Sequence, residues 1–260
     1  AQFLKIGPGA RPAAMGEAFS AVADDVHAVY YNPAGLGNLK RVEVTGMHNT
    51  QIQGIHYEFA AVAVPLLSWV DTKLDRNLYG VLGFAAYNLS VSGIQRRGLT
   101  ETDSAADTFG ASDFAYALSY AYAPPETGFS FGFTGKFIDL NLDDAHARGF
   151  AADFGALYSW EGFSLGAGAR NGGSVAKLRT TKDPLPLTLF SGVSYLFNDK
   201  LLLALDMNAP RDDNAKMAAG AEYRHPFNEK LTGFLRGGYN MRHADNGGVS
   251  GFDMGRNDIV

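Results

Sequence analysis

The feature that most constrains this chain is a two-residue alternation that recurs between residues 114 and 240 with the same division of side chains. Phe114, Tyr116, Leu118, Tyr120 and Tyr122 fall on one face, and Ala115, Ala117, Ser119 and Ala121 on the other. Phe129, Phe131, Phe133 and Phe137 then oppose Ser130, Gly132, Thr134 and Lys136. The pattern returns at 150–160, 201–208, 216–224 and 231–240. A period of two is that of an extended strand, whose successive side chains point to opposite sides of a sheet. Weaker strands read at Val42–His48, Ile55–Pro65, Leu78–Asn88, Phe163–Arg170 and Leu187–Phe197, and Val91–Gly98 continues the Leu78 strand after a kink. Turns are expected at Ala123–Glu126, Asp143-Asp144, Asn171-Gly172-Gly173, Asn198-Asp199 and Pro226–Asn228. The sum is about eleven strands of roughly 8–12 residues, the length that crosses a bilayer at a tilt.

Alternation alone also suits a soluble β-sandwich or β-helix. Two features point instead to a transmembrane β-barrel. One face is aromatic or aliphatic in strand after strand, while the other is small or charged, as for a lipid side and a lumen side. Tyr122, Tyr158, Trp160, Tyr223 and Tyr239 sit near strand ends, where an interfacial girdle would lie. No apolar run reaches the ~18 residues of a membrane helix; Phe59–Val70 is too short and contains Pro65. A mean hydropathy of −0.09 fits a barrel, because lipid and lumen faces average out. The chain opens Ala1-Gln2, the start a signal peptidase leaves after cutting behind a small residue. Single-chain bacterial barrels close with an even number of strands. Val249–Val260 begins like a strand but lacks an aromatic closing strand, so two or three further strands are expected beyond it; the alternative is a strand count that is off by one.

Residues 1–40 do not alternate. Met15, Phe19, Val22 and Val26 have the spacing of a helical face within Ala10–Ala28. Asp24 or Asp25 is placed to cap a short helix over Val26–Tyr31, and Asn32-Pro33-Ala34-Gly35 to stop it, with Pro33 forcing Asn32 out of the helical region and Gly35 free to take a positive φ. A compact segment ahead of a barrel reads as a plug in the lumen, giving a plug or hatch over 1–40 and a barrel over 41–260; a periplasmic extension is the alternative. Its candidate residues are Met15, Gly16, Asp24, Asp25, Asn32, Pro33 and Gly35. Alternation turns Lys136, Asp153, Arg170, Asp206, Lys216, Glu222, Arg224 and Arg236 inward. Buried charges pair or stay wet, so Arg11, Glu17, Asp24 and Asp25 are expected to meet wall charges of opposite sign. Such a network either keeps a plug closed or forms a gate that releases.

Enzymatic and metal chemistry find no support. With 22 basic and 27 acidic residues the net charge is −5, the wrong sign for a nucleic-acid binder. The absence of cysteine removes disulfides, thiolate zinc sites, iron–sulfur clusters and c-type haem. The six histidines form no His-x-x-x-His pair. Asp139, Asn141 and Asp143 start like a calcium loop, but Asp144 stands at the glycine position and Phe150 at the closing glutamate. Gly166 and Gly168 lead to Asn171 and no helix, and Ser174–Lys177 lacks the companion motifs of penicillin-binding enzymes. No catalytic residue, metal or cofactor is expected.

Gly9-Ala10-Arg11, Ala14–Phe19, Ala23-Asp24-Asp25 and Tyr30–Leu36, with Gly149–Tyr158 and Asp183–Leu187, resemble the PorV/PorQ (UPF0164-like) outer-membrane proteins. Those stand with the FadL-like barrels, which share the Asn-Pro-Ala-Gly-Leu element. The resemblance implies a bacterial outer-membrane protein with a fourteen-stranded antiparallel barrel and an N-terminal hatch. For PorV-type members it implies an adaptor or shuttle in type 9 protein secretion, with a secretion channel or cargo protein as partner. For FadL-type members it implies uptake of a hydrophobic ligand through a lateral opening. The short loops here lack a long apolar surface loop for fatty-acid capture, although Leu89–Ala111 is a moderately long segment. A structural barrel that partners a surface assembly is a third reading, and membrane lipid is a partner in all three.

Overall fold

The computed structural model describes residues 1–51, 54–66, 80–96, 107–175, 184–228 and 231–241. Among these residues eleven strands make one antiparallel sheet in which every strand pairs with its neighbours in chain order. They are β1 (Glu43–Thr50), β2 (His56–Pro65), β3 (Val81–Arg96), β4 (Asp107–Tyr122), β5 (Phe129–Leu142), β6 (Ala145–Trp160), β7 (Phe163–Val175), β8 (Thr188–Phe197), β9 (Leu201–Pro210), β10 (Lys216–Pro226) and β11 (Thr232–Asn240). An up-and-down order is what short turns between antiparallel strands permit.

The two faces divide as the alternation requires. Leu118, Phe133, Phe150, Phe154 and Leu205 are exposed on one side, each more than half accessible. Ala115, Ala117, Ser119, Ser130, Thr134 and Asp153 are buried on the other. A face this rich in exposed aromatics is opposite to what water selects, since large apolar patches on soluble proteins are rare. Among the described residues no helix is long and apolar enough to cross a membrane, which does not bear on strands.

The expected kink after Asn88 is a bulge inside one continuous strand. Gly93 takes φ +73° and the β3–β4 register shifts between Val91 and Ile94. Pairing then resumes through Ile94–Phe109 to Arg96–Asp107, so both strands outrun the hydrophobic pattern. Backbone ladders do not need apolar side chains once the strands are in register, which is why β3 runs on through the expected Val91 continuation to Arg96 and β4 begins at Asp107, ahead of the alternation that starts at Phe114; residues 97–106 lie outside the described residues. The turn expected at Asn171-Gly172-Gly173 is a second correction. Asn171 does adopt a left-handed φ of +61°, but β7 continues through it to Val175 as a bulge against β6. The strand start expected over Val249–Val260 also lies outside the described residues.

The N-terminal residues lie on the buried face. They comprise a 3₁₀ turn (Gln2–Lys5), α1 (Ala10–Ala14), a series of turns, α2 (Ala28–Tyr31) and a second 3₁₀ segment (Pro33–Asn38). The helix face expected over Ala10–Ala28 breaks because Gly16 (φ +62°) and Glu17 (φ +64°) are both left-handed. Met15, Phe19, Val22 and Val26 are nonetheless all buried, and Phe19 meets Tyr31 edge-on at 5.3 Å. The second 3₁₀ segment packs across β3 to β6, and α1 packs on β11. The Gly9 N–H points at Met47 Sδ of β1 at 3.2 Å, while Gly16 lies against the backbone of Tyr239 on β11. Both edge strands of the sheet therefore face the same short stretch of chain, and the sheet is rolled around it.

Candidate functional site

The rolled sheet brings the N-terminal residues against the wall in two ways. The first is close backbone approach. A Cβ placed on Gly132 of β5 would overlap the backbone of Pro33 and Ala34, and one on Gly155 of β6 would overlap the Asn32 side chain. These two glycines are cross-strand partners, so they form one shallow seat. Gly220 of β10 offers a similar seat, where a Cβ would lie 2.5 Å from the Met15 carbonyl oxygen, and its partner Gly238 also faces Met15. Glycine in a strand marks a place where another backbone comes close.

Asn32 anchors the first seat. Its side-chain amide donates to Ser20 O at 2.8 Å and to Ala156 O of β6 at 3.2 Å, while its Oδ1 accepts the Ala34 N–H at 3.1 Å. Asn32 is extended (φ −159°), as a residue before proline must be, and it both ends α2 and caps the segment after it. Ser130 of β5 donates to the Ala34 carbonyl. Gly35 has no left-handed φ, contrary to expectation; a Cβ there would overlap the Ala23 carbonyl instead. Asp25 does not cap the helix expected from Val26, because α2 begins at Ala28 behind His27. Its Oδ1 accepts the His27 backbone N–H at 2.8 Å and lies 2.9 Å from the ring Nδ1.

The second mode is charge. Glu222 of β10 is buried and accepts from Arg11 Nε at 2.8 Å and from Arg236 Nε of β11 at 2.6 Å, with Arg224 at 4.0 Å. Arg11 thus meets a wall carboxylate. Asp24 and Asp25 do not meet wall cations; both pair with Arg11 of their own segment, Asp25 at 2.9 Å. One guanidinium has donors enough for three carboxylates, and the turns after α1 fold the two aspartates back onto it. Glu17 accepts from the Asn240 amide of β11 at 3.2 Å. Asp206 of β9 accepts the backbone N–H groups of Phe19 at 3.0 Å and Ser20 at 2.7 Å. At the end of the sheet near the β9–β10 turn, Lys5 and Gln2 both reach Asp212, each at 2.9 Å.

Burial disfavours the Arg11 cation, but Asp24 and Glu222 outweigh it and raise the guanidinium above its ordinary value. Burial likewise opposes the Asp25 charge, yet His27 and Arg11 hold this carboxyl below the usual range. Tyr31 is pushed well above a normal phenol, first by burial and then by Glu17.

Two inward charges act within the wall. Lys136 of β5 pairs with Asp153 of β6 at 2.7 Å, both fully buried, and also donates to Asn171 Oδ1 at 2.8 Å. The β7 bulge supplies the third member, since the Asn171 N–H donates to Asp153 Oδ1 at 2.7 Å. Asn171, a turn residue by its local sequence, is therefore a site residue that local pattern does not reveal. Arg170 beside it donates to Asn208 Oδ1 and, at 3.5 Å, to Tyr31 O.

Among the described residues, two hollows border the N-terminal segment. One, of about 50 Å³, is ringed by Tyr31, Arg170, Asn171, Asn208 and Asn240. The other, at the opposite strand ends, is open, holds about 400 Å³ and mixes apolar side chains such as Leu157, Trp160, Phe163 and Leu202 with Asp24, Glu161 and Arg224. Among the described residues no group of three or more histidine or acidic side chains is arranged to hold a metal.

The sequence model of the uncharacterised protein family UPF0164 matches residues 2–174. No curated protein matches the chain. Among solved structures, the crystal structure of the Pseudomonas putida toluene transporter TodX is similar over 90% of this chain and 83% of that one, with a TM-score of 0.53 and 14% identity. A TodX deltaS2S3 mutant, a monoaromatic hydrocarbon channel, is similar over 82% of this chain and 78% of that one, with a TM-score of 0.46 and 15% identity. The first likeness shows a shared antiparallel β-barrel fold.

Proposed function

The chain belongs to the UPF0164 family, and from that premise we propose that it is a non-enzymatic β-barrel of the bacterial outer membrane, of PorV/PorQ type, with residues 1–40 as a standing plug. In this reading its rims serve as an adaptor or shuttle in protein export and surface attachment, as in type 9 secretion. The observation that carries it is the seating of the N-terminal backbone on wall glycines from β5 to β11, together with the Arg11–Glu222 pair. A segment fitted backbone to backbone leaves no slack for a permeant. A barrel filled in this way does its work at its edges. The exposed aromatic outer face supports a lipid environment, and membership of the family supports the secretion role through its PorV/PorQ relatives.

A FadL-like channel for small hydrophobic compounds is the second reading. It is favoured by the fold shared with the toluene transporter and by the open 400 Å³ hollow, whose apolar side chains stand among charged ones and whose volume exceeds the roughly 150 Å³ that encloses benzene. The 50 Å³ polar hollow on the other side of the segment is too small for such a ligand, so passage requires the segment to shift. A structural barrel that contacts a surface assembly around its outside is the third.

The deciding experiment is mild-detergent isolation from the native outer membrane, with mass spectrometry of proteins and lipids. The adaptor reading expects a large channel protein, or cargo sharing a C-terminal signal domain, to come with it. Recovery of the barrel alone with a stoichiometric hydrocarbon overturns that reading in favour of the channel.

A further inference from the structure

The spacing of His48 and His56 carries no metal signature in the sequence. The hairpin register brings them together. Across the β1–β2 ladder His48 stands opposite Glu58 and Thr50 opposite His56, so the four side chains form one square on a single face. It is the outer face: Val44 on that side of β1 is 75% exposed, whereas the alternate residues of β2, Tyr57 and Phe59, are buried. The two imidazoles lie on a diagonal of the square, with ring centroids 5.7 Å apart. His48 Nε2 is 3.2 Å from Thr50 Oγ1, and His56 Nδ1 is 3.3 Å from the same oxygen. The other nitrogen of His48, Nδ1, lies 3.4 Å from Glu58 Oε1. Beyond Glu58 in the sheet comes Asn88 of β3, whose Oδ1 is buried with no hydrogen-bond partner among the described residues.

Two ring nitrogens that converge on one point, with a carboxylate behind one of them, are the parts of a metal site. A hydroxyl has a single proton, so Thr50 donates to one nitrogen only and the other must present its own N–H. A cation between the rings takes both lone pairs at once. We propose that His48 and His56 bind a divalent transition-metal ion, with Cu²⁺ held most strongly. Imidazole suits such ions, and Cu²⁺ stands highest in their order of affinity. Glu58 accepts from His48 Nδ1–H and leaves Nε2 free for the ion, as carboxylates behind metal-bound histidines do. The oxygens of Glu58 and Asn88 add negative potential. The square falls short of three ligating histidine or acidic side chains, so water completes the coordination. That suits the tetragonal nitrogen–oxygen geometry of Cu²⁺ better than the closed tetrahedron of structural zinc. The ion ties β1 to β2 at the turn end of the hairpin, and the site stands whether the barrel is an adaptor or a channel.

The test uses the full chain in detergent, without a histidine tag. Cu²⁺ is titrated, and the bound ion is read by electron paramagnetic resonance. One saturable equivalent is expected, with hyperfine coupling to two imidazole nitrogens. His48→Gln and His56→Gln should each abolish the two-nitrogen signal. The side chains of His48 and Glu58 are 62% and 55% exposed, so substitutions here leave the fold intact. Glu58→Gln should keep both nitrogens and weaken binding by about tenfold. His225→Gln, at the opposite strand ends, should change nothing. A two-nitrogen signal that survives in either histidine variant, or a single-nitrogen signal in the wild type, would place the copper elsewhere and overturn the proposal. So would the absence of saturable binding.

Discussion

The two halves of the N-terminal segment are held by different physics. From Asn32 to Asn38 the grip is shape: glycine seats on β5 and β6, the Asn32 amide and the Ser130 hydroxyl, with no ion pair among these contacts. From Gln2 to Asp25 the wall is met by shape as well, with Met15 on Gly220 and Gly238, but charge is added at Glu222 and at Asp212, and Asp206 accepts two backbone donors. Shape contacts ignore salt and pH. Charge contacts are strong where buried, weak where wet, and sensitive to both. If the segment ever moves, the contrast assigns the fixed end to the β5–β6 side and the releasable end to the β9–β11 side.

The comparison breaks most visibly at Glu222. Replacing it with Gln leaves Arg11 and Arg236 beside a neutral amide inside the barrel, and removing one partner of a buried pair typically costs about 3–5 kcal/mol. Urea unfolding in micelles should register a loss of that size, larger than for any single change at the glycine seats or the rim. Ion conductance of the reconstituted protein should rise if this end is the releasable one. An unchanged midpoint and conductance would remove Glu222 from the lock.

Gly132→Ala and Gly155→Ala probe the other half. Each new methyl meets backbone or the Asn32 side chain rather than the tip of a flexible residue. Overpacking of that kind costs about 1–3 kcal/mol. The sharpening control is salt: between 0.05 and 0.5 M, on the order of a threefold change in Debye length, the glycine penalties should hold constant. A salt-dependent glycine penalty would dissolve the distinction between the two halves.

Why one half is readable and the other is not follows from range. Alternation is a local signal, so the run of strands and the inward side of Lys136, Asp153 and Glu222 are legible in the sequence, while Met15 and Phe19 are picked out by a different local signal, helical spacing. Asn171 is not, because Asn-Gly-Gly has the local chemistry of a turn and only pairing with β6 keeps it in a strand. The partners of Asp24 and Asp25 escape the sequence for a related reason. Sign and burial say that an aspartate needs a cation, but choosing Arg11 over the wall depends on the turns that bring residues 13 and 14 positions apart together. The glycine seats are visible only as small residues on the inner face; that a backbone lands on them is a long-range fact.

Asp25 gives a smaller effect with a definite sign. Its folded pKa lies below the ordinary carboxylate value because His27 and Arg11 outweigh burial. A group depressed on folding stabilises fully above its unfolded pKa, about 3.9, and loses that contribution as pH falls through the folded value. The difference in midpoint between wild type and Asp25→Asn should therefore be level from pH 7 to about 5 and shrink below about 4. A difference that grew on acidification would show that Asp25 is raised rather than depressed.

The smallest effect is expected at Lys5 and Asp212, and it marks where the charged half ceases to matter. The pair has good geometry, at 2.9 Å, but both side chains are partly exposed, at 22% and 32%. Lys5 and Gln2 hold the Asp212 carboxyl low, yet water and ions reach it. Exposed pairs of this kind measure about 0.2–1 kcal/mol. A double-mutant cycle of Lys5→Ala and Asp212→Ala should return a coupling in that range, and it should vanish by about 0.5 M salt. The Arg11–Glu222 cycle, run beside it, should keep most of its coupling, because the wall shields Glu222 from solvent. Coupling at Lys5–Asp212 that survived salt would extend the buried lock to the rim and leave the segment with no releasable end.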